Sequence, residues 1–280
     1  MALTRESKIT LFLFIALTIA FYIVGFWLIF RLGKATPLML SVGAAAIITC
    51  WFRKRPIANL GWAWGQWKYQ WLSYIIPMLA IGFAYILIWS TGMGEWYNTN
   101  FVSEQRENYN LTNWHDISVI LFHFVITATI TFFLALPSVL GEEVAWRGFL
   151  VPELMKSLSF RGTAMVSGFL WSIWHWPMIF IGIYGNSNTP LFFQLFCFTL
   201  YIVSSSVIMT YLRLKTNSLW TGVIFHMSGN VFLQKYFSSL TANTPDTYWY
   251  GDEFGILPAL MLFLTAIYFW KKGSIEFPTN

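Results

Sequence analysis

The chain has 280 residues, of which 57% are apolar, 20% aromatic and only 10% charged, with a mean hydropathy of +0.58. A soluble domain carries roughly 25% charged residues, so this chain cannot coat a water-soluble body, and a soluble enzyme, a disordered chain and a nucleic-acid binder are excluded. The net charge of +5 comes from few charges set between apolar runs, a pattern of membrane topology and not of phosphate binding.

A hydrocarbon core about 30 Å thick needs roughly 20 apolar residues of helix, and such runs recur. The first, Ile9 to Phe30, is free of charge and longer than a signal-peptide core, so it is expected to be retained. The second, Pro37 to Phe52, ends at Arg53, Lys54 and Arg55. Asn59 to Trp71 is rich in tryptophan, which suits the headgroup layer, where an indole buries its rings and satisfies its N–H. Trp71 to Ser90 is the third run, and the longest polar segment, Thr91 to Asp116, follows it. The fourth, Ile117 to Pro137, leads directly into GEEVAWRG. Thr163 to Tyr184, Pro190 to Leu212, Leu219 to Tyr236 and Ile256 to Trp270 complete the set. Cys50 and Cys197 lie inside apolar runs and read as buried free thiols.

Backbone polar groups in lipid must be paired within the segment, so the spans are helices. The expected fold is an all-α, polytopic integral membrane helical bundle of about eight transmembrane helices, one membrane domain over residues 1–280. With both termini in the cytoplasm, 13 of the 17 Lys and Arg residues fall on the inside, as the retention of positive charge in cytoplasmic loops requires. In a prokaryote this is a multi-pass protein of the cell membrane.

Ionisable groups among apolar spans are expensive and mark candidate sites. Glu143 and Arg147 are four apart on one helical face and suit a charge-assisted pair, which turns Glu142 toward different surroundings, where it could act as a general base. The plain alternative is a solvated helix end carrying an ordinary ion pair. His226 and Asn230 also share a face, and their donors suit an oxyanion better than a metal; interhelical hydrogen bonding is the structural alternative. His175 is followed by Trp176 and Pro177, which can kink the span around it. His115 sits in a polar loop, and His123, alone in an apolar stretch, reads as a satisfied structural histidine.

In order, EEVAWR, WSIWH and HMSGN resemble the CAAX prenyl endopeptidase and bacteriocin-processing (CPBP or ABI) family of intramembrane proteases, whose pattern is EExxxR, FxxxH and HxxxN or HxxxD on successive membrane helices. The first and third motifs are met in full; the second has Trp171 in place of Phe, which keeps an aromatic wall. The resemblance marks 139–236 as the catalytic core. It implies that Glu142 activates a water with help from His175, that His226 and Asn230 hold the oxyanion, and that Glu143 and Arg147 are a structural or tuning pair. The metalloprotease label often attached to the family raises zinc as a cofactor, which Glu142, His175 and His226 would hold if it is present, although HExxH is absent. The implied partners are the lipid bilayer and a membrane-associated peptide or protein, such as a CAAX-type prenylated tail or a leader peptide, with no nucleic acid. Because Glu142 follows the fourth run at a boundary assigned to the cytoplasm, the site is expected to open inward. Two other readings stand beside hydrolysis: a transporter or channel that uses the buried Glu and His groups, and a non-cleaving bacteriocin-immunity scaffold of the same fold.

Overall fold

Every apolar run folds as helix. The computed structural model describes residues 4–278, and among these the sole extended pairing is an isolated antiparallel bridge between Glu95 and Ala242. In chain order the helices are α1 (Arg5–Leu32), α2 (Thr36–Phe52), α3 (Trp67–Thr91), α4 (Thr99–Asn108), α5 (Asp116–Ile126), α6 (Phe132–Leu134) and α7 (Leu136–Glu143). They continue as α8 (Val151–Leu154), α9 (Phe160–Phe180), α10 (Leu191–Thr216), α11 (Trp220–Asn230), α12 (Ser238–Leu240), α13 (Thr247–Tyr250) and α14 (Ile256–Glu276). A 3₁₀ turn covers Ile57–Leu60, and π-helical stretches cover Thr127–Thr131, Val144–Leu150 and Val231–Phe237.

The chain is an integral membrane helical bundle. Among the described residues five segments are long and apolar enough to cross a membrane: α1, α3, Asp116–Leu134, α10 and α14. The runs that form α2, α9 and α11 are helical but not among those five, so the count of eight rests on the apolar runs alone. Local chemistry sets the ends. The Thr4 hydroxyl accepts from Ser7 N at 3.1 Å to start α1, and Gly33, with φ of 64°, ends it in the left-handed conformation. Ser159 caps α9 through Gly162 N at 3.1 Å.

Contacts between loops sort the bundle into two ends. At the end carrying both termini, Arg53 Nε donates to Thr10 Oγ1 at 3.1 Å, Arg55 pairs with Glu153 at 2.5 Å, Arg161 Nε reaches Ser274 Oγ at 2.7 Å and Lys215 pairs with Glu276 at 2.7 Å. At the opposite end, Glu95 N donates to Ala242 O at 2.9 Å, Thr247 Oγ1 to Met93 O at 2.8 Å, and Arg106 pairs with Asp116.

Close approach of small residues carries the site segment into the bundle, as is common where helices meet in lipid. A Cβ built on Gly43 in α2 would lie 2.3 Å from the Gly141 carbonyl oxygen, so α2 and α7 touch backbone to backbone just before Glu142. Ala135, which keeps right-handed helical angles, joins α6 to α7, and α7 lies against the middle of α2. Cys50 and Cys197 are buried free thiols.

Candidate active site

Both glutamates of the first motif are buried at the end of α7, immediately before the π-helical stretch Val144–Leu150. Wide turns of this kind are rare and are found most often at functional sites. Arg147 Nη1 donates to Glu143 Oε1 at 2.9 Å with neither side chain exposed, and the same oxygen is 3.0 Å from His226 Nδ1. The Arg147 guanidinium also stacks on Trp171, 4.2 Å from the ring centroid. Glu143 Oε2 and the Arg147 Nε and Nη2 atoms are buried without a partner among the described residues, so this ion pair is tight but incompletely satisfied. Gly222 makes room for it, because a Cβ there would lie 2.7 Å from Glu143 Oε2.

Glu142 faces the other way. Its Oε2 accepts from the Trp171 indole N–H at 2.7 Å and lies 4.0 Å from His175 Nε2. His175 Nδ1 is 3.0 Å from the Trp171 carbonyl oxygen, a partner that can only accept; Nδ1 therefore carries the proton, and the Nε2 lone pair is left for the cavity. A gap of 4.0 Å is too long for a direct hydrogen bond and suits an intervening water. Trp171 therefore differs from the Phe of the family pattern in chemistry as well as bulk, since a phenyl ring has no proton to donate to Glu142.

These groups line one cavity of about 350 Å³, with Glu142 from α7, Trp171 and His175 from α9, and His226 and Asn230 from α11. A larger groove of about 800 Å³ between α9, α10 and α14 has an almost wholly apolar lining without an ionisable side chain, and offers no chemistry. The cavity also holds residues that the sequence reading did not single out: Tyr184, Tyr201, Gln234 and Glu253. Glu253 is only 4% exposed; it accepts from Gln234 Nε2 at 3.0 Å and from the Tyr184 hydroxyl. Burial, reinforced by neighbouring Asp252, holds its carboxyl well above the usual carboxylate range. The short interval from Asp252–Glu253 to α14 gives no sequence sign that one of the two acids turns inward. His123 lies outside this cavity and is satisfied by the Tyr109 hydroxyl at 2.7 Å and Lys235 O at 3.1 Å. His115 is exposed at the start of α5.

The lining of the cavity also includes Ile29, Ala35 and Thr36 around the α1–α2 turn, Tyr184 beyond α9 and Glu253 before α14, which lie toward the end of the bundle opposite the termini. As for zinc, ligand bonds of about 2.0–2.2 Å require donors that converge on one point. Here Glu142 and His175 stand 4.0 Å apart, and among the described residues no group of three His, Cys, Asp or Glu side chains could hold a metal ion. Glu142, His175 and His226 as arranged do not fit zinc, and no step below is routed through a metal.

Comparison with known proteins bears on the same segment. Residues 120–232 match the sequence model of the family described as type II CAAX prenyl endopeptidase Rce1-like. The chain is also 31% identical over 147 residues to CAAX prenyl protease 2 of Methanococcus maripaludis, an alignment that covers 50% of this chain and 52% of that protein. The chain thus spans about half the length of the curated relative it matches. Over residues 120–232, the stretch that brings Glu142, His175, His226 and Asn230 to one cavity, the chain is similar to the Rce1-like type II CAAX prenyl endopeptidases, which bears out the resemblance carried by its three motifs.

Proposed function

We propose that the chain is an intramembrane endopeptidase that hydrolyses peptide bonds of membrane-associated substrates, with water as the nucleophile and Glu142 as its general base. The observation that carries this reading is the meeting of a carboxylate, two imidazoles and a carboxamide, from three helices, around one 350 Å³ cavity inside a membrane bundle. The match to CAAX prenyl endopeptidases supports the reaction class.

In this reading a water bridges Glu142 Oε2 and His175 Nε2. Glu142 takes one of its protons as the oxygen attacks the scissile carbonyl carbon, and the carbonyl electron pair moves onto oxygen. Asn230 donates to that oxyanion through its carboxamide. His226, with Nδ1–H directed at Glu143, donates through Nε2 when the ring carries both protons. Collapse re-forms the carbonyl and breaks the C–N bond, and the proton held by Glu142 passes to the departing amine with His175 in reach. Glu143 and Arg147 act at one remove, by holding the His226 ring in place. Burial strengthens each of these interactions, because the cavity is largely screened from bulk water.

The test is cleavage of a panel of membrane-tethered peptides, with CAAX-type tails and leader peptides both included, by the wild type and by Glu142→Ala, His226→Ala and Asn230→Ala in liposomes. Loss of the base should lower kcat by about 10²–10⁴-fold, and loss of either oxyanion donor by about 10²–10³-fold. Wild-type turnover in all three variants overturns the assignment.

A further inference from the structure

A second buried carboxyl lines the cavity, and none of the steps above uses it. Glu253 takes two donors on Oε1, the Tyr184 hydroxyl and Gln234 Nε2 at 3.0 Å, while Oε2 has only the same Nε2 at 3.3 Å. No Lys or Arg lines the cavity, so no permanent cation offsets a second negative charge there. The titratable groups around Glu253 are Asp252 beside it, Tyr184 after α9, Tyr201 in α10 and Tyr85 in α3, and none is cationic. Burial and Asp252 hold its carboxyl well above the usual carboxylate range, so the acid is neutral and its proton sits on the less engaged Oε2. Gln234 commits its N–H to Glu253 and keeps its carbonyl oxygen as an acceptor. A donor and an acceptor thus stand side by side, which complements the N–H and C=O that one extended residue turns to the same side.

Position ties this pair to the reacting groups. Gln234 follows Asn230 by four residues along the continuous segment of α11 and Val231–Phe237, a step of about 5–6 Å. The Tyr184 ring lies 6.0 Å from the His175 ring. An extended chain advances about 6.5–7 Å over two residues, so a peptide whose scissile carbonyl meets Asn230 carries a neighbouring residue to Gln234 and Glu253. We propose that Glu253 and Gln234 form a subsite for the backbone of one extended substrate residue near the scissile bond, with Glu253 donating to its C=O and Gln234 accepting from its N–H. Tyr184 is the positioning residue that holds the Glu253 carboxyl. The subsite rests on the hydrolytic reading for its substrate; it ignores side-chain identity and fixes which peptide bond lies over Glu142.

The experiment measures binding apart from turnover, with the full chain in lipid nanodiscs carrying Glu142→Gln and the membrane-tethered peptides of the cleavage panel. Each peptide is made with one backbone amide replaced by an ester at successive positions, which removes that N–H and weakens the carbonyl of the same group as an acceptor. At two adjacent positions the ester should weaken binding by about three- to ten-fold. The first penalty should shrink below about two-fold when Gln234→Leu is added, and the second when Glu253→Leu is added. Glu253→Gln, whose carboxamide keeps a donor and an acceptor, should retain both penalties. Should a Leu variant fail to fold, Tyr184→Phe takes its place: it keeps the ring, frees the carboxyl, and should reduce the second penalty. Ester penalties that are the same in every variant, or no binding of any peptide, overturn the subsite. Glu142→Gln separates the two claims. If it cleaves like wild type, the hydrolytic reading fails while the binding result stands; if it is inactive and the penalties do not depend on Glu253 or Gln234, the subsite alone fails.

Discussion

Glu142 and Glu143 are neighbours in sequence, yet their surroundings give them separate work. Glu143 carries the Arg147 guanidinium and the His226 ring on a single oxygen, whereas Glu142 receives the Trp171 indole and faces His175 across 4.0 Å. A charge-assisted hydrogen bond of this kind contributes about 1.5–3 kcal/mol. Trp171→Phe, which removes the donor and keeps an aromatic ring, should therefore lower kcat by about ten-fold or more with KM little changed; unchanged kcat would show that the indole does not orient the base. Glu253 gives a pH-dependent prediction. An unfolded Glu loses its proton near pH 4.3 or so, whereas burial keeps the folded Glu253 protonated well above that value. The folded state thus binds the extra proton, and stability falls as pH rises from the unfolded value toward the folded one. Glu253→Gln keeps the size and cannot ionise, so its melting temperature in detergent should exceed that of wild type by more at pH 8 than at pH 5. An equal difference at both pH values contradicts the buried-acid account.

Among the elements, the contact of α7 with α2 decides where the first motif sits. Sequence showed the two apolar runs and the glycine that precedes the acid pair, but not that Gly43 and Gly141 would meet. Nor did it show where α7 would lie in the bundle, because run length measures distance along the chain and not its direction. Gly43→Val should separate the helices and lower both melting temperature and activity, whereas Gly25→Ala, next to α2 but remote from Glu142, should affect stability more than turnover; the two are compared by melting and by peptide cleavage. Gly222→Ala is a finer probe. Its Cβ would press on Glu143 Oε2 and on Arg147 Cγ, at 2.7 and 3.1 Å, so it should misalign His226 and lower kcat while the bundle stays folded. Wild-type kcat in that variant would remove the Glu143–His226 contact from the mechanism. The π-helical stretches beside both motifs were not legible, because their wider turn follows from packing and leaves no mark in apolar periodicity.

At the level of the whole molecule, the sequence made the membrane class plain, because charge is so scarce that no other solvent suits the chain. The polar residues of the three motifs stood out for the same reason: an acid, an imidazole or a carboxamide in an apolar run has to be satisfied by something. Tyr184, Tyr201, Gln234 and Glu253 escaped notice because they reach the cavity from loops and helices that carry no motif, and only the tertiary arrangement assembles them. The charge asymmetry was legible, but its relation to the site was not, since the position of Glu142 depends on the packing of α7 against α2. Because the donors do not converge on a metal position, turnover should survive dialysis against a strong chelator, and lost activity restored by zinc alone would contradict that geometry. The most direct measurement of the central claim is single-turnover cleavage of a bilayer-anchored peptide by Glu142→Gln, which preserves shape and can still accept the indole proton but cannot take one from water. The account predicts a loss of about 10²–10⁴-fold in a variant that melts like wild type, and cleavage at the wild-type rate would contradict it.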